Sequence, residues 1–159
     1  MKKGEAIQAV VILDDVRSSH NVGSIFRTSD ALGINKIFLT GYTPAPKDKF
    51  GRVNKEIAKV ALGGEQSVAW EPSTTSVSVI KKLKKEGYKI VAVEQDKRET
   101  DYKKFKIAGP TVFVFGNEVD GLAPKIISVC DEVVEIPMRG EKESLNVSVA
   151  FGIALARIL

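Results

Sequence analysis

The sequence predicts an open α/β domain, a mostly parallel sheet with helices on both faces. Three observations carry that prediction. Continuous apolar runs at 9–13 (AVVIL), 36–40 (KIFLT), 89–93 (KIVAV) and 111–115 (TVFVF) have the length and composition of strands buried on both faces. Segments with helical apolar spacing alternate with these runs, the order expected of parallel strands joined by crossover helices. The chain has 159 residues, enough to bury one core without disulfide or metal staples, so a single domain over 1–159 is expected.

Each remaining element follows in turn. Residues 21–32 read as a helix, with Val22, Ile25, Phe26, Ser29 and Leu32 on one face, Asn21 as N-cap and Gly33 as the stop. Residues 41–54 hold two prolines, two glycines and several charges, so they form a loop. A short helix is expected over 56–62, ending at Gly63-Gly64, and a short strand over 67–70. Residues 73–86 suit a helix with a lysine-rich outer face, stopped by Gly87. The charged stretch 95–106 reads as surface. Pro124 starts a short helix over 123–129, a last strand covers 132–136, and 146–159 form the final helix. That helix is apolar on more than one face, so a central core position or a second copy of the chain must cover it.

Composition narrows the function classes. Hydrophobic residues make up 43% and charged residues 28%, as in an ordinary globular protein. No apolar run has the length of a membrane span, so no membrane partner is expected. The N-terminal MKKGEAIQAVVILDD reads as a first strand, not a targeting peptide, and a cytoplasmic protein is expected. One cysteine, Cys130, and one histidine, His20, exclude a disulfide framework and a Cys/His zinc site, so no metal is expected. The net charge of +4 leans toward a polyanionic partner. There is no G-x-G-x-x-G after a strand, no phosphate-binding GxxxxGK[ST] and no nucleophile elbow.

Three segments depart from core and surface logic. In 13–30, Gly23 lies in the first turn of a helix, where open backbone N–H groups suit a phosphate, and Arg27 stands about 9 Å further along the axis, able to lean back toward Asn21. In 115–122 (FGNEVDGL), Gly116 lets a ligand approach the backbone and Glu118 stands at the carboxyl edge of the sheet. In 136–159 a strand runs through a loop into the last helix. Ser144 and Asn146 are both cap candidates there, and Ile136, Met138 and Leu145 are apolar residues on a loop that need something to cover.

These segments, NVGSIFRTSD at 21–30, VFGNEVDGL at 114–122 and IPMRGEKESLNVSVA at 136–150, resemble in order and spacing the three motifs of the SpoU/TrmH ribose methyltransferases of the SPOUT class. AKVALGGEQSV at 58–68 is similar to that family too, and the likeness covers nearly the whole chain. The resemblance implies a SPOUT fold with a deep C-terminal trefoil knot, S-adenosylmethionine as cofactor and a homodimer. It implies Arg27 as the central catalytic residue, with Asn21, Glu118, Ser144 and Asn146 around it, and cofactor loops at Val93, Glu94, Gly116, Ile136, Met138 and Leu145. His20 and Arg17 are secondary candidates, for the reaction and for substrate phosphate. The expected substrate is tRNA or rRNA, bound through surface lysines and through Lys47, Lys49, Arg52 and Lys55. Two alternatives stay open: a SPOUT enzyme that methylates a base, and a non-enzymatic RNA-binding or assembly protein.

Overall fold

The computed structural model describes residues 8–159. Residues 1–7, with the two lysines weighed against a targeting peptide, lie outside the described residues. The element order is β1 (Ala9–Asp14), α1 (Ser19–Leu32), β2 (Lys36–Thr40), α2 (Lys55–Ala61), α3 (Gly64–Ser67), β3 (Ala69–Ser73), α4 (Ser76–Lys85), β4 (Lys89–Val93), β5 (Glu99–Asp101), β6 (Thr111–Phe115), α5 (Pro124–Ile127), β7 (Glu132–Glu135) and α6 (Val147–Ile158). Among the described residues seven strands form one sheet in the order β3-β2-β1-β6-β4-β7-β5, with every neighbouring pair parallel.

Strand alternation divides the core into two layers. Val11 and Leu13 of β1 face α1, α2 and α6, where they join Ile25, Phe26, Ile57, Phe151 and Leu155. Val10 and Ile12 face the opposite way, with Val79, Ile80 and Leu83 of α4 and Ile126 of α5. At the carboxyl ends of β1 and β2, the Ser76 hydroxyl donates to Asp14 Oδ1 at 2.6 Å and lies 2.5 Å from the Thr40 hydroxyl, tying the start of α4 to the sheet.

Several expected boundaries moved for identifiable reasons. Gly63 takes the left-handed backbone (φ 97) that only a glycine adopts cheaply, but Gly64 begins α3 instead of ending α2. A Cβ at Gly64 would fall 2.8 Å from the Phe26 carbonyl oxygen and 3.0 Å from the Arg27 backbone, so a glycine is required where α3 docks on α1. Ser67 therefore belongs to α3, and the strand starts at Ala69. Thr75 caps α4 by accepting from Ser78 N–H, which starts that helix three residues later than the apolar pattern implied. The charged stretch after β4 holds the edge strand β5 and the buried Phe105, packed edge-on against Phe113 at 6.2 Å.

The strand order positions the site. β6 inserts between β1 and β4, and β7 then lies beyond β4. The chain must return from β7 to reach α6, which packs on α1. The returning segment 136–146 borders the same cavity as the carboxyl ends of β4 and β6, and Gln95 Nε2 donates to the Glu143 carbonyl at 2.8 Å.

Candidate active site

The polar centre starts from how α1 is capped. Ser18, not Asn21, is the N-cap: its hydroxyl accepts from Asn21 N–H at 3.2 Å. A helix needs one side chain for that task, so Ser18 frees the Asn21 amide, which is 7% exposed and must find buried partners. Asn21 Nδ2 donates to Glu118 Oε1 at 3.1 Å, and Asn21 Oδ1 accepts from Asn146 Nδ2 at 3.1 Å. The amide has only one workable orientation, because an ionised carboxylate accepts and cannot donate. Asn146 in turn caps α6, its Oδ1 accepting from Ser148 N–H at 2.9 Å and Val149 N–H at 3.4 Å. One chain of bonds thus joins residues 97 and 125 positions apart in sequence.

Glu118 is held as a carboxylate. Partial burial works to raise its pKa, but the Asn21 amide and the backbone N–H groups of Glu118, Ser18 and Arg17 outweigh it and keep the carboxyl below its ordinary value. The loop carrying it is built by Asn117. Asn117 Oδ1 accepts from Val119 N–H at 2.7 Å and Asp120 N–H at 3.2 Å, and Nδ2 donates to the Asp15 carbonyl at 3.0 Å. Asp15 itself takes a left-handed backbone (φ 51) at the turn from β1 toward α1.

Beside this centre lies a cavity of about 310 Å³ at the carboxyl ends of β4 and β6. Val93, Glu94, Gly116, Ile136, Met138 and Leu145 all line it, as do Glu118 and Ser144. Gly116 is there for space: a Cβ would meet the Gly121 carbonyl carbon at 2.5 Å and Leu122 N at 2.6 Å. Glu94 clamps the two loops together, since Oε2 accepts from Leu122 N–H at 2.9 Å while Oε1 accepts from Gln95 N–H at 2.8 Å. The volume is within the range of small-molecule sites, and the mixture of apolar side chains, backbone and a few carboxylates suits an adenine ring with an amino-acid tail.

Other sequence candidates stand apart. Arg27 is on the exposed side of α1 and makes no hydrogen bond or ion pair among the described residues. Ser144 is exposed and does not cap α6. Gly23, expected to open the helix end to a phosphate, is instead buried against α2, where a Cβ would meet the Ile57 carbonyl oxygen and Val60 Cβ at 2.9 Å. His20 is exposed, and Cys130 lies in the core on the opposite face of the sheet from α1, so the two cannot form a nucleophilic pair. Burial pushes the Cys130 thiol up to about 11, which leaves it inert at neutral pH. Arg17 borders a shallow groove beside Ser18 and 117–120.

Sequence reasoning passed over Ser18 and Asn117 as site builders. Both carried a local signal: serine three positions before a polar helix residue, and asparagine opening a turn that ends at Gly121.

Comparison with known proteins gives the chain's family. The sequence profile described as the SpoU rRNA Methylase family matches residues 8–156. Over 159 residues the chain is 33% identical to a 23S rRNA (guanosine-2′-O-)-methyltransferase, RlmB, of Pseudomonas aeruginosa, covering 100% of this chain and 61% of that protein. Over 146 residues it is 35% identical to a tRNA (guanosine(18)-2′-O)-methyltransferase of Aquifex aeolicus, covering 92% of this chain and 66% of the other. The chain therefore spans less than two thirds of either relative. An AdoMet-bound rRNA methyltransferase from Sinorhizobium meliloti superposes with a TM-score of 0.85 at 28% identity, over 94% of this chain and 55% of that one.

Proposed function

The chain belongs to the SpoU rRNA methylase family, and on that premise we propose that it transfers a methyl group from S-adenosylmethionine to a ribose 2′-hydroxyl of tRNA or rRNA. The observation that carries this reading is the bonded chain Glu118–Asn21–Asn146 standing beside the cavity of β4 and β6.

Val93, Glu94, Gly116, Ile136, Met138 and Leu145, which line the cavity, would hold the cofactor, and their apolar side chains would give its adenine cover from water. When bound, S-adenosylmethionine supplies an electrophilic methyl carbon on a sulfonium. A hydroxyl attacks poorly until its proton begins to leave. The Glu118 carboxylate and the two asparagine amides give that hydroxyl fixed acceptors and donors in one orientation, since each is already held by its neighbours. A guanidinium group makes a poor general base, so in this reading Arg27 grips the RNA phosphate and polarises the 2′-hydroxyl. Ser144, at the cavity mouth, orients the acceptor.

Arg27 reaches the reacting atoms through substrate or a second protomer. The homodimer in this proposal is supported by α6: Val149 and Ile153, four residues apart on one face, stay exposed while Phe151, Ala154 and Leu155 on the other are buried. The return of 136–146 across the sheet supports the trefoil knot. Among the described residues no helix is long and apolar enough to cross a membrane; a cytoplasmic location is part of the proposal, argued from RNA as the substrate.

The test is methyl transfer to tRNA and to rRNA from labelled S-adenosylmethionine, followed by digestion to nucleosides. A 2′-O-methylated nucleoside is expected. Products methylated only on the base would favour the base-methylating alternative. Absence of cofactor binding in calorimetry would favour the assembly-protein alternative.

A further inference from the structure

The loop between β2 and α2 is not loose chain. Lys47 and Val53 pair as an antiparallel bridge, Asp48 N–H donates to the Arg52 carbonyl at 3.0 Å, and Gly51 N–H closes the turn on the Asp48 carbonyl at 2.9 Å. The Asp48 carboxylate fastens the tip from within. Its Oδ1 accepts from Phe50 N–H at 2.8 Å and Arg52 N–H at 3.0 Å, and its Oδ2 accepts from Arg52 Nε at 2.6 Å. Gly51 takes the left-handed φ of 77 that this turn needs. A small hairpin, tied by these bonds, thus holds Phe50 out at its tip.

Phe50 is 71% exposed and Tyr42, at the start of the same loop, is 77% exposed. Neither ring serves the core. Both are flanked by cations: Lys49 Nζ lies 5.1 Å and the Arg52 guanidinium 5.2 Å from the Phe50 centroid, and the Arg17 guanidinium lies 5.4 Å from that of Tyr42. Both are also wired to the polar centre. Asn54, at the hairpin base, donates to the Ser19 hydroxyl at 3.1 Å, two residues before Asn21. Tyr42 N–H donates to Asp15 Oδ1 at 2.8 Å, and the Asp15 carbonyl holds Asn117 beside Glu118. At about 3.3 Å per residue, Phe50 is at most roughly 13 Å from its Asn54 anchor.

We propose that Phe50 and Tyr42 are stacking platforms for unpaired RNA bases flanking the acceptor nucleotide. An exposed ring beside fixed cations suits a base plane with phosphates on either side. A protein partner fits less well, because interface cores are depleted in lysine. The proposal rests on the RNA reading above and adds which part of the RNA is gripped: a single-stranded stretch, not a helix.

The full chain is titrated with a short single-stranded RNA carrying 2-aminopurine and with a duplex of the same sequence. The single strand is expected to bind more tightly, with quenched fluorescence. Phe50→Ala is expected to weaken single-strand binding about tenfold and relieve the quenching. Phe50→Leu, apolar but unable to stack, should behave like Phe50→Ala, and Phe50→Trp should restore binding. Lys49→Ala should lower the salt slope by about one. Unchanged affinity and quenching in Phe50→Ala, or a duplex that binds as tightly and suffers the same loss, overturns the proposal. So does a changed sedimentation mass for Phe50→Ala, which would assign the hairpin to a protein interface. Methyl transfer by the wild type is measured separately. Transfer without any Phe50 effect sinks the stacking platform alone, whereas stacking without transfer to any RNA sinks the methyltransferase reading alone.

Discussion

Asn21 and Arg27 lie on one helix less than two turns apart, and their surroundings are opposites. Asn21 is buried, with its Nδ2 donating to Glu118 and its Oδ1 accepting from Asn146. Arg27 is exposed and bonds to nothing among the described residues. The first is part of a frame that a single chain completes by itself. The second is an exposed charge, which the proposed function assigns to an RNA phosphate or a neighbouring protomer. Preorganised dipoles cost no rearrangement during reaction, whereas an unpaired guanidinium in solvent costs the folded chain nothing to keep.

That contrast breaks first at Arg27. Arg27→Ala should reduce transfer by about 10²–10³-fold, with the melting temperature and calorimetric cofactor affinity unchanged; a fall in melting temperature would make Arg27 structural. Asn21→Ala should lose activity and stability together. It strands the Asn146 amide and removes one donor from Glu118, a loss of about 1–3 kcal/mol in chemical denaturation.

The other half of the comparison sharpens at α6. Val149→Glu with Ile153→Glu should give the monomer mass in sedimentation and lower transfer, while leaving the Asn21 frame folded, because both side chains face outward. If the mass does not change, this face of α6 does not hold two protomers together. Glu94→Ala should weaken cofactor binding roughly fivefold to tenfold in calorimetry, by leaving Leu122 N–H without an acceptor.

The smallest effect is in pH. The folded-state pKa of Glu118 lies below its ordinary value of 4.5, so the carboxylate stabilises the fold fully above that value and loses its contribution as pH falls through the lowered one. The melting difference between wild type and Glu118→Gln should therefore be flat from about pH 5 to about pH 8 and shrink only in stronger acid. A change centred near neutrality would point to another group.

Much of this was readable in one dimension because its causes are local. Apolar runs such as TVFVF can only be buried strands, Gly33 and Pro124 mark helix ends through their own backbone geometry, and Glu118 follows a strand end by adjacency. Most cavity-lining residues were visible for the same reason, lying at or just past the ends of β4, β6 and β7, while Leu145 stands just before α6.

By itself, then, the sequence determined the buried strands, the longer helices and which short segments carry polar groups to the sheet edge, since propensity, capping and periodicity act within a few residues. The tertiary structure alone decided that β6 enters between β1 and β4, that Gly23 packs on α2 instead of facing a phosphate, and that β5 pairs at the edge. It also decided that Ser18 takes the cap and so releases Asn21 to reach groups 97 and 125 residues away. Those outcomes are competitions among distant groups for one partner or one space, and a competition is settled only when all the contestants are brought together.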